Sequence, residues 1–346
     1  MENMTPRFNQ LCQWLQQTER TIAVDVNSLQ PASSDASFRH YYRGQTRTAP
    51  KQNIIVMDAP PAQENNAAFA DNQRRLQAAG LKVPEIFDAD FDEGFLLLSD
   101  LGPHNLLSIL NEGYDAVATQ ALYRIVLDLL VTMQQADTSG LPVYDAERMR
   151  AELDLFYTYF VQNHCKITLS AQEKTRLDVI FQVLVTDNAS YPMVYVHRDF
   201  HSPNLMMPTD RTLQPGLIDF QDAVLGPITY DLASLVMDAR YYWDEAQQID
   251  WAIRYWEKAQ AAGLPVCEHF GDFHRAYEWM SIQRNLRILG VFCRLSQRDG
   301  KHQYLAHLPR VLKYLRQVIP RYEIFTPLRA LLDRIEQKQT VLGITF

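Results

Sequence analysis

Cysteine is scarce in this 346-residue chain: there are four, Cys12, Cys165, Cys267 and Cys293. They are scattered and form no CxxC pair, which argues against a disulfide framework or a zinc ribbon and for reduced thiols. Positive charge is also short, with 33 Lys and Arg against 41 Asp and Glu and a net charge of −8. A nucleic-acid binder needs a basic footprint to release counterions, so no nucleic-acid partner is expected. No window approaches the ~18 consecutive apolar residues of a spanning helix. Residues 1–7 soon meet Gln, Glu and Arg and form no apolar signal core. No membrane partner is therefore expected, and the expected location is the cytoplasm. Internal repeats, low-complexity runs and flexible linkers are missing too. What remains is ordinary globular composition, 47% hydrophobic and 21% charged, in a length that allows two lobes.

The hydrophobic pattern changes along the chain. Residues 5–19 predict a helix with Phe8, Leu11, Cys12 and Leu15 on one apolar face. A polar turn region follows over 29–35, then aromatic-rich strand sequence over 36–44 and an apolar strand over 53–58 stopped by Pro60-Pro61. Residues 63–79 predict a helix that Gly80 closes, and short strands follow over 85–89 and 95–99. After Leu101-Gly102-Pro103 the periodicity turns helical over 114–136, 146–163 and 170–186. A short β cluster is expected over 193–196, 205–207 and 217–220, and helix from Ile228 nearly to the end. The architecture implied is α+β: a small β-rich lobe over 1–102, a hinge near 98–103, and a larger helical lobe over 103–346 that carries the chemistry.

The most informative stretch is His197-Arg198-Asp199-Phe200-His201-Ser202-Pro203-Asn204, followed by Ile218-Asp219-Phe220. Asp199, just past an apolar strand, can accept a hydroxyl proton. Asn204 and Asp219, the latter expected at a strand end, offer the hard oxygens that Mg2+ prefers. Those three groups are what phosphoryl transfer from ATP asks of a protein, since positioning and charge neutralisation do most of the work. Asp also recurs in ordinary turns, but the combined spacing favours the functional reading. His197 reads as structural, holding the loop through hydrogen bonds. Asp231 in Gly226-Pro227-Ile228-Thr229-Tyr230-Asp231 reads as a first-turn helix carboxylate, as a brace for the catalytic loop, or as both. His197, Asp199 and His201 also spell H-x-D-x-H, part of a possible zinc hydrolase site, although no other His-rich motif completes it.

On these residues the chain resembles the aminoglycoside-phosphotransferase-like kinases over nearly its whole length. It is more closely similar to the bacterial kinases that phosphorylate N-acetylmuramate and N-acetylglucosamine at the anomeric hydroxyl in cell-wall recycling. The segments carrying the closer match run over 35–43, 56–61, 95–102, 197–206, 218–223 and 283–292. The resemblance implies a protein-kinase-like two-lobed fold with ATP and Mg2+ as cofactors. Asp199 would be the catalytic base, with Asn204 and Asp219 as metal ligands. Adenine would lie against the backbone from Leu98 through Asp100 to Leu101, and the turn holding Ser33, Ser34 and Ser37 would cover the phosphates. Two departures stand out: the turn has no glycine, and Met57-Asp58 stands where kinases usually present a phosphate-binding Lys. Arg39, Arg43 or Lys51 would have to supply that charge.

For the acceptor, a polycationic aminoglycoside calls for an acidic pocket. This chain instead places Arg240 after Asp238 in the helix expected to follow Asp231, and Arg284, Arg287 and Arg294 on one face of a late helix. Guanidinium groups clamp carboxylates, as on the lactyl group of N-acetylmuramate. An internal salt-bridge row gives the same pattern. Arg240, Arg287, Tyr241, His201 and Asp222 are the candidate contacts with a small amino-sugar substrate. The other readings are a kinase of another small alcohol (an aminoglycoside, choline or a fructosamine) and a nucleotide-binding protein that has lost catalysis.

Overall fold

The computed structural model describes residues 5–17, 22–34, 38–113 and 115–343. They form two compact units, one of Met1–Asn105 with Asn204–Asp222, the other of Leu106–Pro203 with Ala223–Phe346. The sequence pattern suggests a single cut after residue 102; the compact units group the segment bearing Asn204 and Asp219 with the N-terminal residues.

The first unit is built on a five-stranded antiparallel sheet: β1 (Val24–Ser34), β2 (His40–Thr46), β3 (Asn53–Asp58), β4 (Ile86–Asp90) and β5 (Phe95–Ser99), in the order β1-β2-β3-β5-β4. Helix α1 (Pro6–Leu15) starts at Thr5, whose hydroxyl accepts the Phe8 N–H, and Pro6 supplies a preset φ. Leu11, Trp14 and Leu15 lie at i, i+3 and i+4, and they pack with Val24, Ile54, Val56, Phe95 and Leu97 as one core. Alternate residues of β3 and β5 thus face α1, yet Leu96 and Leu98 are buried as well. That explains the unbroken apolar run of β5, since a strand covered on both faces loses its alternation. The polar turn expected over 29–35 is strand through Ser34. Pro31 is tolerated because β1 is an edge strand, and the register shifts around it.

Helix α2 (Asn66–Ala78) ends as expected at Gly80, which takes φ +85. Its N–H bonds to the Gln77 carbonyl and that of Leu81 to the Leu76 carbonyl, closing the open helix end. The later segment of this unit adds a two-stranded piece, β7 (Leu205–Met206) with β8 (Gly216–Leu217). Leu217 N–H donates to the Lys82 carbonyl and Met207 N–H to that of His104, both at 2.8 Å. Gly216 lies so close to Leu101 that a Cβ there would come within 2.7 Å of its side chain.

The second unit is mainly helical. Its helices are α3 (Leu106–Asn111), α4 (Ala116–Met133), α5 (Ala146–Leu155), α6 (Ala171–Ala189), α7 (Tyr230–Val236), α8 (Glu245–Ala261), α9 (Phe270–Asp299), α10 (Leu308–Val318) and α11 (Thr326–Gly343). Strand β6 (Met193–Val196) pairs antiparallel with β9 (Val224–Pro227), which the sequence reading did not anticipate because Gly226-Pro227 looks like a helix start. By length and composition α4 could cross a membrane. Half of its apolar window is buried, however, with Tyr123 stacked 3.8 Å from Trp251 and Asp128 paired to Lys258. It is a core helix of this unit.

Helix α9 runs 30 residues and is buried along most of its length. Beyond Leu155 the α5 helix continues as a π-helix over Phe156–His164. Gly290 of α9 meets that junction: a Cβ on it would fall 2.5 Å from the Leu155 carbonyl carbon and 2.6 Å from the Phe156 nitrogen. Backbone contact this close requires the missing side chain.

Candidate active site

The loop after β6 is fixed by two carboxylates of the helical unit. Asp231, fully buried in the first turn of α7, accepts the His197 N–H at 2.6 Å and the Arg198 N–H at 3.0 Å. Asp238 accepts the Ser202 N–H at 3.0 Å and the Ser202 hydroxyl. Between these anchors Arg198 adopts φ +76, a conformation that costs an L-residue energy and persists where the surroundings impose it. The Asp231 bond and a 2.5 Å ion pair from Arg198 to Glu152 do so here. His197 is buried, and its Nδ1 accepts the Asp199 N–H at 3.2 Å, so the ring proton sits on Nε2. His197 and Asp231 thus occupy the bracing positions that the sequence suggested.

Burial alone would raise the pKa of the Asp199 carboxyl. The guanidinium charges of Arg287, Arg198 and Arg284 outweigh burial and hold it well below the usual carboxylate range. Asp199 is therefore ionised at any pH at which the protein works. His201 is pushed down to about 3 by burial, helped by the Arg240 charge, so it is neutral. Burial also pushes Asp231 up to about 7, against the two N–H groups that favour its charged form.

Glu152 on α5 is the hub that sequence reasoning missed. It accepts from Arg198 at 2.5 Å, from Arg287 at 3.1 Å and from the Tyr144 hydroxyl at 2.5 Å. Arg287 is thus already neutralised, and nothing in the sequence around residue 152 marks it. Arg240 and Tyr241 were expected on a helix, but α7 stops at Val236 and they sit in the following loop. Asp238 bonds the Arg240 N–H two residues on, a local turn that competes with helix. Arg240 Nη1 reaches to 3.5 Å from His201 Nε2, and Tyr241 lies against Trp243, itself bonded to the Tyr123 hydroxyl.

In the other unit Asn204 and Asp219 come together across fifteen residues, with Asn204 Nδ2 donating to Asp219 Oδ2 at 3.2 Å. The strand expected over 217–220 ends at Leu217. Ile218 N–H then turns back to the Asn204 carbonyl, and Asp219 takes φ +67. Gln221, not foreseen from sequence, donates to Asp219 Oδ1 at 2.7 Å and orients it. An amide oxygen beside a carboxylate is the hard-oxygen donor pair that suits Mg2+. Among the described residues no cluster of three His, Cys, Asp or Glu could hold a metal, so the zinc hydrolase reading finds no site. Asp222 is exposed.

The expected nucleotide-side residues are distributed as follows. Ser33 and Ser34 end β1 opposite Tyr41 and His40, while Ser37 lies outside the described residues. Arg39 is buried and paired with Glu64 at 2.8 Å; Glu64 also accepts the Phe38 N–H. Asp100 is clamped by Arg43 at 2.7 and 3.0 Å, and Arg43 reaches the Gly102 carbonyl, stiffening the segment after β5. Leu98 is buried within β5 and Leu101 is half-buried. At the position without a Lys, Met57 is fully buried and Asp58 pairs with Arg7. Of the substitute cations, Arg39 and Arg43 are engaged by carboxylates and Lys51 is exposed.

A profile of the Phosphotransferase enzyme family matches residues 28–276. A Neisseria meningitidis protein named N-acetylmuramate/N-acetylglucosamine kinase is 40% identical over 317 residues, covering 91% of this chain and 93% of its own. One of the same name from Pseudomonas aeruginosa is 39% identical over 339 residues, 96% and 97% of the two chains. Among solved structures, ADP-bound aminoglycoside phosphotransferase APH(2'')-Ib superposes with a TM-score of 0.59 at 12% identity, covering 88% of this chain and 97% of that one. The gentamicin complex of APH(2")-IIa gives 0.60 at 12% identity over 90% and 97%. These likenesses establish the fold, which is protein-kinase-like: an N-terminal antiparallel sheet with a mainly helical remainder.

Proposed function

The chain belongs to the phosphotransferase enzyme family, and on that premise we propose that it is an ATP-dependent kinase of N-acetylmuramate and N-acetylglucosamine. The observation that carries this reading is about 40% identity, over nine-tenths of the chain, to proteins that bear that activity in their names.

The reaction forms a bond between an acceptor oxygen and the γ-phosphorus and breaks that phosphorus from the bridging oxygen of ADP. We assign the acceptor oxygen to the anomeric hydroxyl, giving a sugar 1-phosphate that serves cell-wall recycling in the cytoplasm. Asp199, ionised and fixed by its braced loop, orients that hydroxyl and takes its proton. A carboxylate of such low basicity suffices, because in a loose transition state the proton becomes acidic only as the new O–P bond forms. Asn204 and Asp219 would hold Mg2+, which neutralises charge on the phosphates when bound. Adenine recognition falls to the backbone around Leu98, Asp100 and Leu101, and the phosphates to Ser33 and Ser34 at the end of β1 together with Ser37. In this reading Arg39, whose guanidinium is paired with Glu64, does not replace the Lys. The N-terminal unit thus serves the nucleotide and the helical unit the acceptor, with His201, Arg240, Tyr241 and Arg287 around the sugar. Asp222, in the N-terminal unit, is the remaining candidate contact.

The test is Asp199→Asn: turnover falls by about 10²–10⁴-fold or more while ATP binding by calorimetry survives. A variant with near-native rate would remove Asp199 from the mechanism.

A further inference from the structure

Among the described residues, Arg284 stands out in the Asp199 surroundings as an arginine whose guanidinium makes no bond. It stands on α9, 2% exposed, and its Nε and Nη1 are sealed from solvent without a partner. Each neighbouring guanidinium has at least one partner, although Arg198 Nε too is buried without one: Arg198 and Arg287 share Glu152, and Arg240 approaches His201. Asp199, Asp231 and Asp238 are near enough for their charges to be felt at Arg284 or to feel it, yet none bonds to it. Burying a cation without hydrogen bonds is costly, and folded proteins rarely tolerate it unless a ligand completes the site. Nη2 is not one of the sealed, partnerless nitrogens of this side chain.

We propose that Arg284 is the carboxylate receptor of the acceptor site, binding the lactyl carboxylate of N-acetylmuramate and setting the preference between that sugar and neutral N-acetylglucosamine. The assignment rests on the amino-sugar kinase reading. It differs from the expectation placed on Arg287, whose charge Glu152 already takes up. A carboxylate is favoured over a phosphate because of where the groups belong. Arg284 shares the helical unit with Asp199, which handles the acceptor hydroxyl, whereas Asn204 and Asp219, assigned to the phosphate metal, belong to the other unit. A guanidinium also matches a planar carboxylate in a way an ammonium does not.

The experiment compares N-acetylmuramate, its neutral lactyl carboxamide and N-acetylglucosamine as acceptors, first with the unaltered protein and then with Arg284→Gln. A charged hydrogen bond lost to a neutral isostere lowers kcat/KM for the carboxamide about 10- to 100-fold. In Arg284→Gln, whatever the absolute rates, the ratio of kcat/KM for N-acetylmuramate to that for N-acetylglucosamine falls tenfold or more, and the carboxamide is no longer discriminated against. Equal use of acid and carboxamide by the unaltered protein overturns the assignment without any variant. So does a variant that loses both sugars in equal proportion, which would make Arg284 a support for Asp199. Transfer to neither sugar by the unaltered protein overturns the kinase reading itself, and this inference with it.

Discussion

Asp231 Oδ2 accepts the backbone N–H of His197 at 2.6 Å across 34 positions of sequence, and its other oxygen takes the N–H of Arg198. One carboxylate therefore fixes the two residues that precede Asp199. In Asp231→Asn the amide nitrogen faces one of those N–H groups, donor against donor. Leaving one buried N–H unpaired costs ~1–3 kcal/mol. The expected outcome is a lower melting temperature together with a fall in kcat, since Arg198 φ is no longer imposed. A fall in stability at constant kcat would show that the brace does not aim Asp199.

Gln221 orients Asp219 through a 2.7 Å bond. Residues that orient a metal ligand typically matter 10- to 100-fold in metal affinity. Gln221→Ala should raise the half-saturating Mg2+ concentration about tenfold or more, with the melting temperature little changed. An unchanged Mg2+ titration would show that Gln221 does not tune the metal site proposed at Asp219.

The candidate residues Asp199 and Asn204 can be singled out from sequence because they lie close together in it. Asp199 and Asn204 share a loop of six residues, and the flanking apolar strands announce it. Glu152, Gln221 and Asp238 act across tertiary contacts or on side chains already satisfied, and no periodicity marks them. The fold follows the same division. Leu11, Trp14 and Leu15 show a helical face, and Gly80 marks a helix end where it takes φ +85. Pro31 misleads because only the strand order shows that it lies on an edge, and Arg240 because the Asp238 turn overrides helix periodicity.

Gly290 provides a test of the packing that carries α9. Gly290→Ala places a methyl against backbone atoms of Leu155 and Phe156, which cannot move aside as a side chain can. Overpacking of this kind costs ~1–3 kcal/mol. Urea unfolding should show a lower midpoint. A more stable variant, as expected from helix propensity alone, would mean the junction yields.

The pH dependence of stability follows from His201 and Asp231. His201 has a folded pKa of about 3, below its ordinary value of 6.5. Its contribution is thus complete above pH 6.5 and is lost on acidification, by about 1.4 kcal/mol per pH unit. Asp231, raised to about 7, acts with the opposite sign from pH 3.8 upward, and the two largely offset. His201→Gln removes the first effect, so its stability relative to the unaltered protein should rise as pH falls from 6.5 toward 4. Parallel curves for the two proteins would mean that His201 is not buried as a neutral ring.

The most direct measurement is phosphoryl transfer from Mg·ATP to N-acetylmuramate, N-acetylglucosamine and kanamycin in parallel, with the product position read by phosphorus NMR. A sugar 1-phosphate is expected from the first two and no product from kanamycin. Transfer to kanamycin alone, or phosphate on any hydroxyl other than the anomeric one, would contradict that expectation.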